Sequence, residues 1–395
     1  MEVILISYAE SVSLQKGDKI PLNLATDFLS RFFYYDETQG FLYLKNNPNL
    51  TNPITVQDVL LLFSQLGYTL SEHTMKTALA TTKVERRSLL SLQMHNLPQL
   101  DLFDEPIEKL ALHFKTNDDK QFEWFLKYWM ANAAGQVMAP NDIQAVNRLV
   151  LCLQSETQRI GKTSFFRWLA EPFTTETSTA IQEYDRPDFS KDGQISYSSN
   201  LIVLLDDIDS WSGSSLQKMK SIISQKRVKA RPPYGSRAVD LPRTSSFAAT
   251  TNSYSFLEET GNTRWVVFEV TGIDRSYSQK LNAKDVWSQA KALWTQDSSY
   301  RDMTEDKIAY VIESNKRFIH RDDADEMVLS HLVLDESARI TATQLYWLLP
   351  REARDVLGHP SRGISNLGKL IAKNYNPRNI SVLNGGRKLY KLQIA

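Results

Sequence analysis

Two short clusters in this 395-residue chain carry groups suited to phosphate chemistry. The first is Gly161-Lys162-Thr163, which follows an apolar run, Leu149 to Leu153, and a polar loop. An apolar-periodic segment, Phe165 to Leu169, comes next. Strand, loop and helix in that order turn backbone N–H groups toward one spot, where an anion is favoured. Gln158, Arg159, Ile160 and Gly161 would supply the loop, and Lys162, Thr163 and Ser164 the helix start. Lys162 adds a full charge for β- and γ-phosphates, and the Thr163 hydroxyl can ligate Mg²⁺. The full pattern asks for glycine at position 156, where glutamate stands. An ordinary strand–helix turn is the other reading of these three residues.

The second cluster is Asp206-Asp207, at the end of the apolar run Leu201 to Leu205. Carboxylates there lie at the carboxyl edge of a buried parallel strand, where open α/β sheets bind ligands. Asp206 would hold Mg²⁺, and Asp207 would polarise a water, with Asp209 next in line as base. A helix-capping Asp after a buried strand is the alternative. Asn252 closes a third strand, Ser245 to Thr251, and can orient water against a γ-phosphate. Arg264 stands directly before a fourth apolar run from Trp265. It would act as an arginine finger, or pair with Glu258 or Glu259 at a strand edge.

Four apolar strands at this spacing predict one doubly wound sheet in an α/β domain spanning 106–325. The stretch Phe122 to Met130 carries an aromatic stripe of the kind that packs into a core. Residues 1–105 hold no chemical motif and predict a small, mostly helical accessory domain. A helix behind a Thr55 cap and a turn at Asp36 into a short strand belong to it. Residues 322–336 are acidic and predict a helical linker and lid. The tail, 326–395, predicts a helix from Ile340, a second from Gly363, and a hairpin turning at Asn384-Gly-Gly. Helix, basic helix and basic hairpin is the order of a winged helix.

Net charge is zero, from 46 basic and 46 acidic residues, but the charge is uneven. Lys218 to Arg243 holds eight Lys or Arg against one acid, Asp240, and the chain past Val356 holds seven and no acid. Such faces fit a polyanion, or are simply solvated. The candidate DNA contacts are Lys226, Arg227, Lys229, Arg231, Tyr234 and Arg237 in the first, and Lys369, Lys373, Arg387 and Lys388 in the second. A single cysteine, Cys152, excludes a disulfide scaffold and a cysteine-rich zinc site. The six histidines show no ligand spacing. No apolar run reaches membrane-span length and no signal peptide is expected, so a cytoplasmic protein is predicted.

Trp129-Met-Ala-Asn-Ala-Ala, Gly161-Lys-Thr-Ser-Phe-Phe-Arg-Trp-Leu, Arg231-Pro-Pro-Tyr-Gly, Ala249-Thr-Thr-Asn and Thr260-Gly-Asn-Thr-Arg-Trp occur in this order. The set resembles the virulence-associated protein E family over about residues 106–275. The resemblance implies a P-loop ATPase of the AAA+ class, similar to superfamily 3 helicases, carried by prophages and mobile islands. By that resemblance Lys162 and Thr163 are the Walker A pair, Asp206 and Asp207 Walker B, and Asn252 sensor 1. Arg264 is then the finger that reaches a neighbour's γ-phosphate. Glu156 departs from the pattern. No primase precedes the ATPase, so a separate primase is the expected partner. The expected protein is an ATP- and Mg²⁺-dependent helicase or translocase, a homo-oligomer, most simply a hexameric ring on DNA. The rivals are a non-motor DNA-binding protein that uses nucleotide as a switch and an interference protein against phage.

Overall fold

A computed structural model describes residues 1–46, 53–100, 104–142, 145–176, 178–186, 188–190, 193–211, 213–230, 239–257, 262–319, 323–375, 380–382 and 388–394. The chain divides into two units, Met1–Phe318 and Ile319–Ala395.

A six-stranded sheet organises the first unit. In chain order the strands of that unit are β1 (Phe33–Asp36), β2 (Phe41–Leu44), β3 (Phe114–Thr116), β4 (Val150–Gln154), β5 (Ile181–Tyr184), β6 (Ile202–Leu205), β7 (Arg227–Ala230), β8 (Val239–Pro242), β9 (Ser246–Thr251) and β10 (Trp265–Ile273). The sheet order is β3-β10-β4-β9-β6-β5, parallel throughout except for β3. The four strands read from sequence are the inner four. β3 has only three residues and β5 is half-buried along its length, so neither shows a continuous apolar run.

The inner strands carry apolar centres because both sheet faces are covered. Successive side chains point to opposite faces. Leu151, Leu153, Ile202, Leu204, Ala248, Val266 and Phe268 therefore enter one core. Val150, Cys152, Val203, Leu205, Phe247, Ala249, Trp265 and Val267 enter the other. The helix Asp119–Met138 covers the first face. Its aromatic stripe is core, and Trp129 Nε1 donates to the Phe247 carbonyl at 2.8 Å. The helix Ala283–Gln296 crosses it at Gly135, where a Cβ would lie 2.2 Å from the Trp294 ring.

The first 105 residues contribute five helices and the β1–β2 hairpin among the described residues. Thr55 caps the helix Val56–Gln65 in a capping box with Asp58. These elements have their own apolar cluster around Phe28, Phe33 and Phe63. Leu90, Met94 and Leu97 instead join the core of the main sheet.

The second unit packs its own core around Val328, Leu345, Leu367 and Tyr390. The acidic segment is part of it and is no linker: Asp323–Ser330 is a helix, followed by β11 (Leu332–Leu334). Helices Ala342–Leu348, Arg351–Leu357 and Pro360–Asn374 follow, the middle one being unforeseen. Then come β12 (Ile380–Val382), β13 (Lys388–Tyr390) and β14 (Leu392–Ile394). β12 pairs with β13 and β14 with β11, both antiparallel. The expected Asn384-Gly-Gly turn lies outside the described residues.

Candidate active site

β4 carries the chain to Ser155 at the carboxyl edge of the sheet, where residues 156–161 turn into the helix Lys162–Ala170. No side chain caps that helix, which leaves its first N–H groups facing outward. Gly161 precedes it with φ +112°, a conformation that disfavours any side chain. A Cβ there would also approach Arg275 Nε to 3.0 Å. Glu156 takes no left-handed conformation, so the missing glycine costs no backbone strain at that position. The left-handed non-glycine residue of the loop is Arg159, at φ +61°. For a non-glycine residue that conformation costs about 1 kcal/mol. Gln158 and Arg159 are exposed, Ile160 is half-buried against the main core, and Ser164 is exposed in the first helical turn.

Lys162 is buried, and its ammonium donates to Asn252 Oδ1 at 2.7 Å and to the Ser155 carbonyl at 3.2 Å. Burial pushes its pKa down from the ordinary lysine value, and the carboxylates of Asp207, Asp209 and Asp206 oppose that shift. Asn252 Nδ2 in turn donates to Asp207 Oδ1 at 3.1 Å. The Thr163 hydroxyl donates to Asp206 Oδ1 at 2.9 Å, and Thr250 Oγ1 donates to the same oxygen. Asp207 sits at φ +48°, a second strained residue, and its N–H donates to Thr250 Oγ1. Asp209 accepts the Asn252 N–H at 3.1 Å on both oxygens and the Thr251 hydroxyl as well. It therefore fixes the backbone of Asn252, a task distinct from that of a free base.

Five candidates from three strand ends, Lys162, Thr163, Asp206, Asp207 and Asn252, thus share one hydrogen-bonded network. Sequence reasoning overlooked Thr250 and Thr251, whose only signal was their place directly before Asn252. It also overlooked Arg275, for which no signal exists in the sequence.

Arg264 lies elsewhere. Its carbonyl accepts from Val150 N at 2.7 Å, beside the start of β4, and its Nε donates to Ser224 Oγ at 2.8 Å. The length of β4 separates it from the loop, about 13 Å at 3.3 Å per residue. It does not join the network of its own chain.

The basic stretch also divides. Lys226 Nζ donates to the Asn141 carbonyl at 2.7 Å. Arg227 binds Asp240 Oδ2 at 2.8 Å across the β7–β8 pair and Asn141 Oδ1 at 3.2 Å. Both fasten the root of the hairpin. Lys229 is exposed, while Arg231, Tyr234 and Arg237 lie outside the described residues. In the second unit Lys369 and Lys388 are exposed. Lys373 lies on the helix of Lys369, its side chain not described, and Arg387 is outside the described residues.

The model of the virulence-associated protein E-like domain matches residues 101–320, more than half of the chain. The chain belongs to that family. One solved structure extends the likeness of this virulence-associated protein E-like chain beyond the matched domain. The apo structure of the NrS-1 C-terminal region (305–718) has a TM-score of 0.50 at 12% identity, covering 94% of this chain and 99% of its own. The A form apo structure of that region has a TM-score of 0.46 at 13% identity, covering 91% and 96%. The first of these shows a shared fold. No curated protein sequence matches the chain. No helix among the described residues is long and apolar enough to cross a membrane.

Proposed function

We propose that this chain is an ATP-hydrolysing DNA helicase or translocase serving the replication of a phage or mobile element. The observation that carries the reading is the Lys162–Asn252–Asp207 chain of bonds beside the Thr163–Asp206 pair, at the carboxyl edge of a parallel sheet. Family membership supports it.

In this reading the loop from Gln158 to Ser164 cradles the phosphates of ATP. Lys162 leaves Asn252 for the β- and γ-phosphates, which frees the amide to orient a water. Asp207 accepts a proton from that water as it attacks. The Thr163 hydroxyl and Asp206 carboxylate, 2.9 Å apart, suit Mg²⁺, which takes few protein ligands and shares the rest with phosphate and water. Bound there, Mg²⁺ offsets phosphate charge.

Arg264 stands at the opposite edge and serves the site of a neighbouring copy, which makes the active form a ring, most simply a hexamer. The hairpin beyond Lys229 grips DNA in the channel. The tail adds a winged-helix-like duplex contact through Lys369, Lys373, Arg387 and Lys388. The internal contacts of Lys226 and Arg227 favour a second reading, a non-motor DNA-binding protein switched by nucleotide. Phosphate release with and without DNA, and gel filtration with ATP, separate the two. A motor assembles with ATP and is stimulated by DNA, and its Lys162→Ala form hydrolyses nothing. A monomer whose ATPase ignores DNA overturns the motor.

A further inference from the structure

Arg275 lies two residues past β10, on the same edge as the phosphate loop, and is exposed. Its guanidinium donates to the carbonyls of Arg159 and, at 3.4 Å, Ile160. Among the described residues no carboxylate pairs with it. The turn that presents it is well anchored. Asp274 accepts from Ser276 N at 2.9 Å and Ser276 Oγ at 2.7 Å, and its other contact is His113 Nδ1 at 3.0 Å. The Asp274 N–H donates to the His113 carbonyl at 2.8 Å. Ser278 Oγ donates to the Arg275 carbonyl at 3.1 Å.

The loop that Arg275 holds carries side chains at positions 156 and 159, and Arg159 bears the left-handed conformation there. A loop shaped by glycines would adopt this form unaided. Here the backbone favours other conformations at Arg159, in which its carbonyl and the following N–H groups rotate. A cation on those two carbonyls opposes the rotation.

We propose that Arg275 is a positioning residue for nucleotide binding: it holds the Arg159–Ile160 backbone so that the N–H groups of the loop already face phosphate. The inference rests on the nucleotide-binding reading of the loop. Preorganisation of this kind acts on affinity by lowering the ordering cost of binding.

The test is calorimetric titration of the full chain with ADP and Mg²⁺. Arg275→Ala should weaken ADP binding about tenfold, the scale of one charged hydrogen bond. Arg275→Lys, which keeps charge and a donor, should recover part of that loss. The deciding measurement repeats Arg275→Ala in an Arg159→Gly background. There the left-handed conformation is free, so the substitution should cost less than about threefold. An undiminished loss in the glycine background overturns the proposal, because the guanidinium would then act on the phosphates themselves. Wild-type affinity in Arg275→Ala overturns it too. A wild-type chain that binds neither ADP nor ATP overturns the nucleotide reading, and this one with it.

Discussion

The two edges of the central sheet hold their charges in opposite ways. At the carboxyl edge a buried Lys162 sits among Asp206, Asp207 and Asp209, and most of the bonds run between side chains. At the amino edge Arg243 is fully buried, with no acid beside it among the described residues. Its guanidinium donates to the carbonyls of Gln225, Ser245, Asn147 and Ile223 at 2.5–3.0 Å. Burial pushes its pKa down to about 9, and it remains charged at neutral pH. Side-chain pairs exchange partners at small cost when a ligand arrives. Backbone carbonyls cannot follow a departing cation. The carboxyl edge is thus built to be rearranged, and the amino edge, at the root of the β7–β8 hairpin, to stay fixed.

The sharpest way to break this contrast is Arg264, which belongs to the fixed edge in its own chain and, in the proposed ring, would serve the other edge of a neighbour. Arg264→Ala should bind ATP almost normally and lose about 10³-fold in turnover, as fingers acting in trans do. Mixing with Lys162→Ala subunits, which keep Arg264, should restore activity. Loss without rescue places the residue in cis, against the geometry. Phosphate release from mixed and unmixed samples decides.

Asp207→Asn tests the mobile edge. The amide keeps the shape but removes the charge that would accept a proton in the proposed reaction, so turnover should fall about 100-fold while ATP still binds. Normal turnover would remove Asp207 from the mechanism. Asp209 is a poor substitute, since both its oxygens are taken by the Asn252 backbone.

The inner strands were legible because burial on both faces leaves apolar runs, two of which end abruptly in Gln154 and Asp206. Edge strands were not, because a half-buried strand such as Ile181–Tyr184 has no such run. Lys162, Thr163, Asp206, Asp207 and Asn252 were readable as types at strand ends, and the structure gathers them. The motif located the left-handed Gly161 but not the strained side-chain position: it asks for glycine at 156, while the other left-handed residue is Arg159. The bond from Arg275 to that residue spans 116 positions and depends on a turn after β10, so no local pattern records it.

On the fixed edge, Arg243→Met keeps length and removes the donors. Buried carbonyls would then lack partners, for a loss of about 3 kcal/mol in unfolding free energy. The urea midpoint of the full chain measures it, and hydrogen exchange should locate the loosening at β7, β8 and the end of the helix Gly213–Ser224. A change below about 1 kcal/mol would mean that water replaces the guanidinium, and the edge is less rigid than its bonds suggest.

Ser224 sharpens the comparison with the smallest change. Its hydroxyl accepts from Arg264 Nε at 2.8 Å and donates to the Lys220 carbonyl at 2.9 Å. Arg264 is thereby tied to the last turn of a helix that Arg243 also grips, through the carbonyl of Ile223. If the fixed edge aims the finger, Ser224→Ala should release its Nε and lower turnover about fivefold, the worth of one hydrogen bond near 1 kcal/mol. Affinity for ATP should hardly change, because Ser224 lies at the edge opposite the phosphate loop. The same substitution in the Arg264→Ala background should then do nothing more, since the group it aims is gone. A further fall in that background would show that Ser224 acts on the hairpin root by another route. Full activity in the single variant would mean that Arg264 abandons Ser224 before it reaches the neighbour.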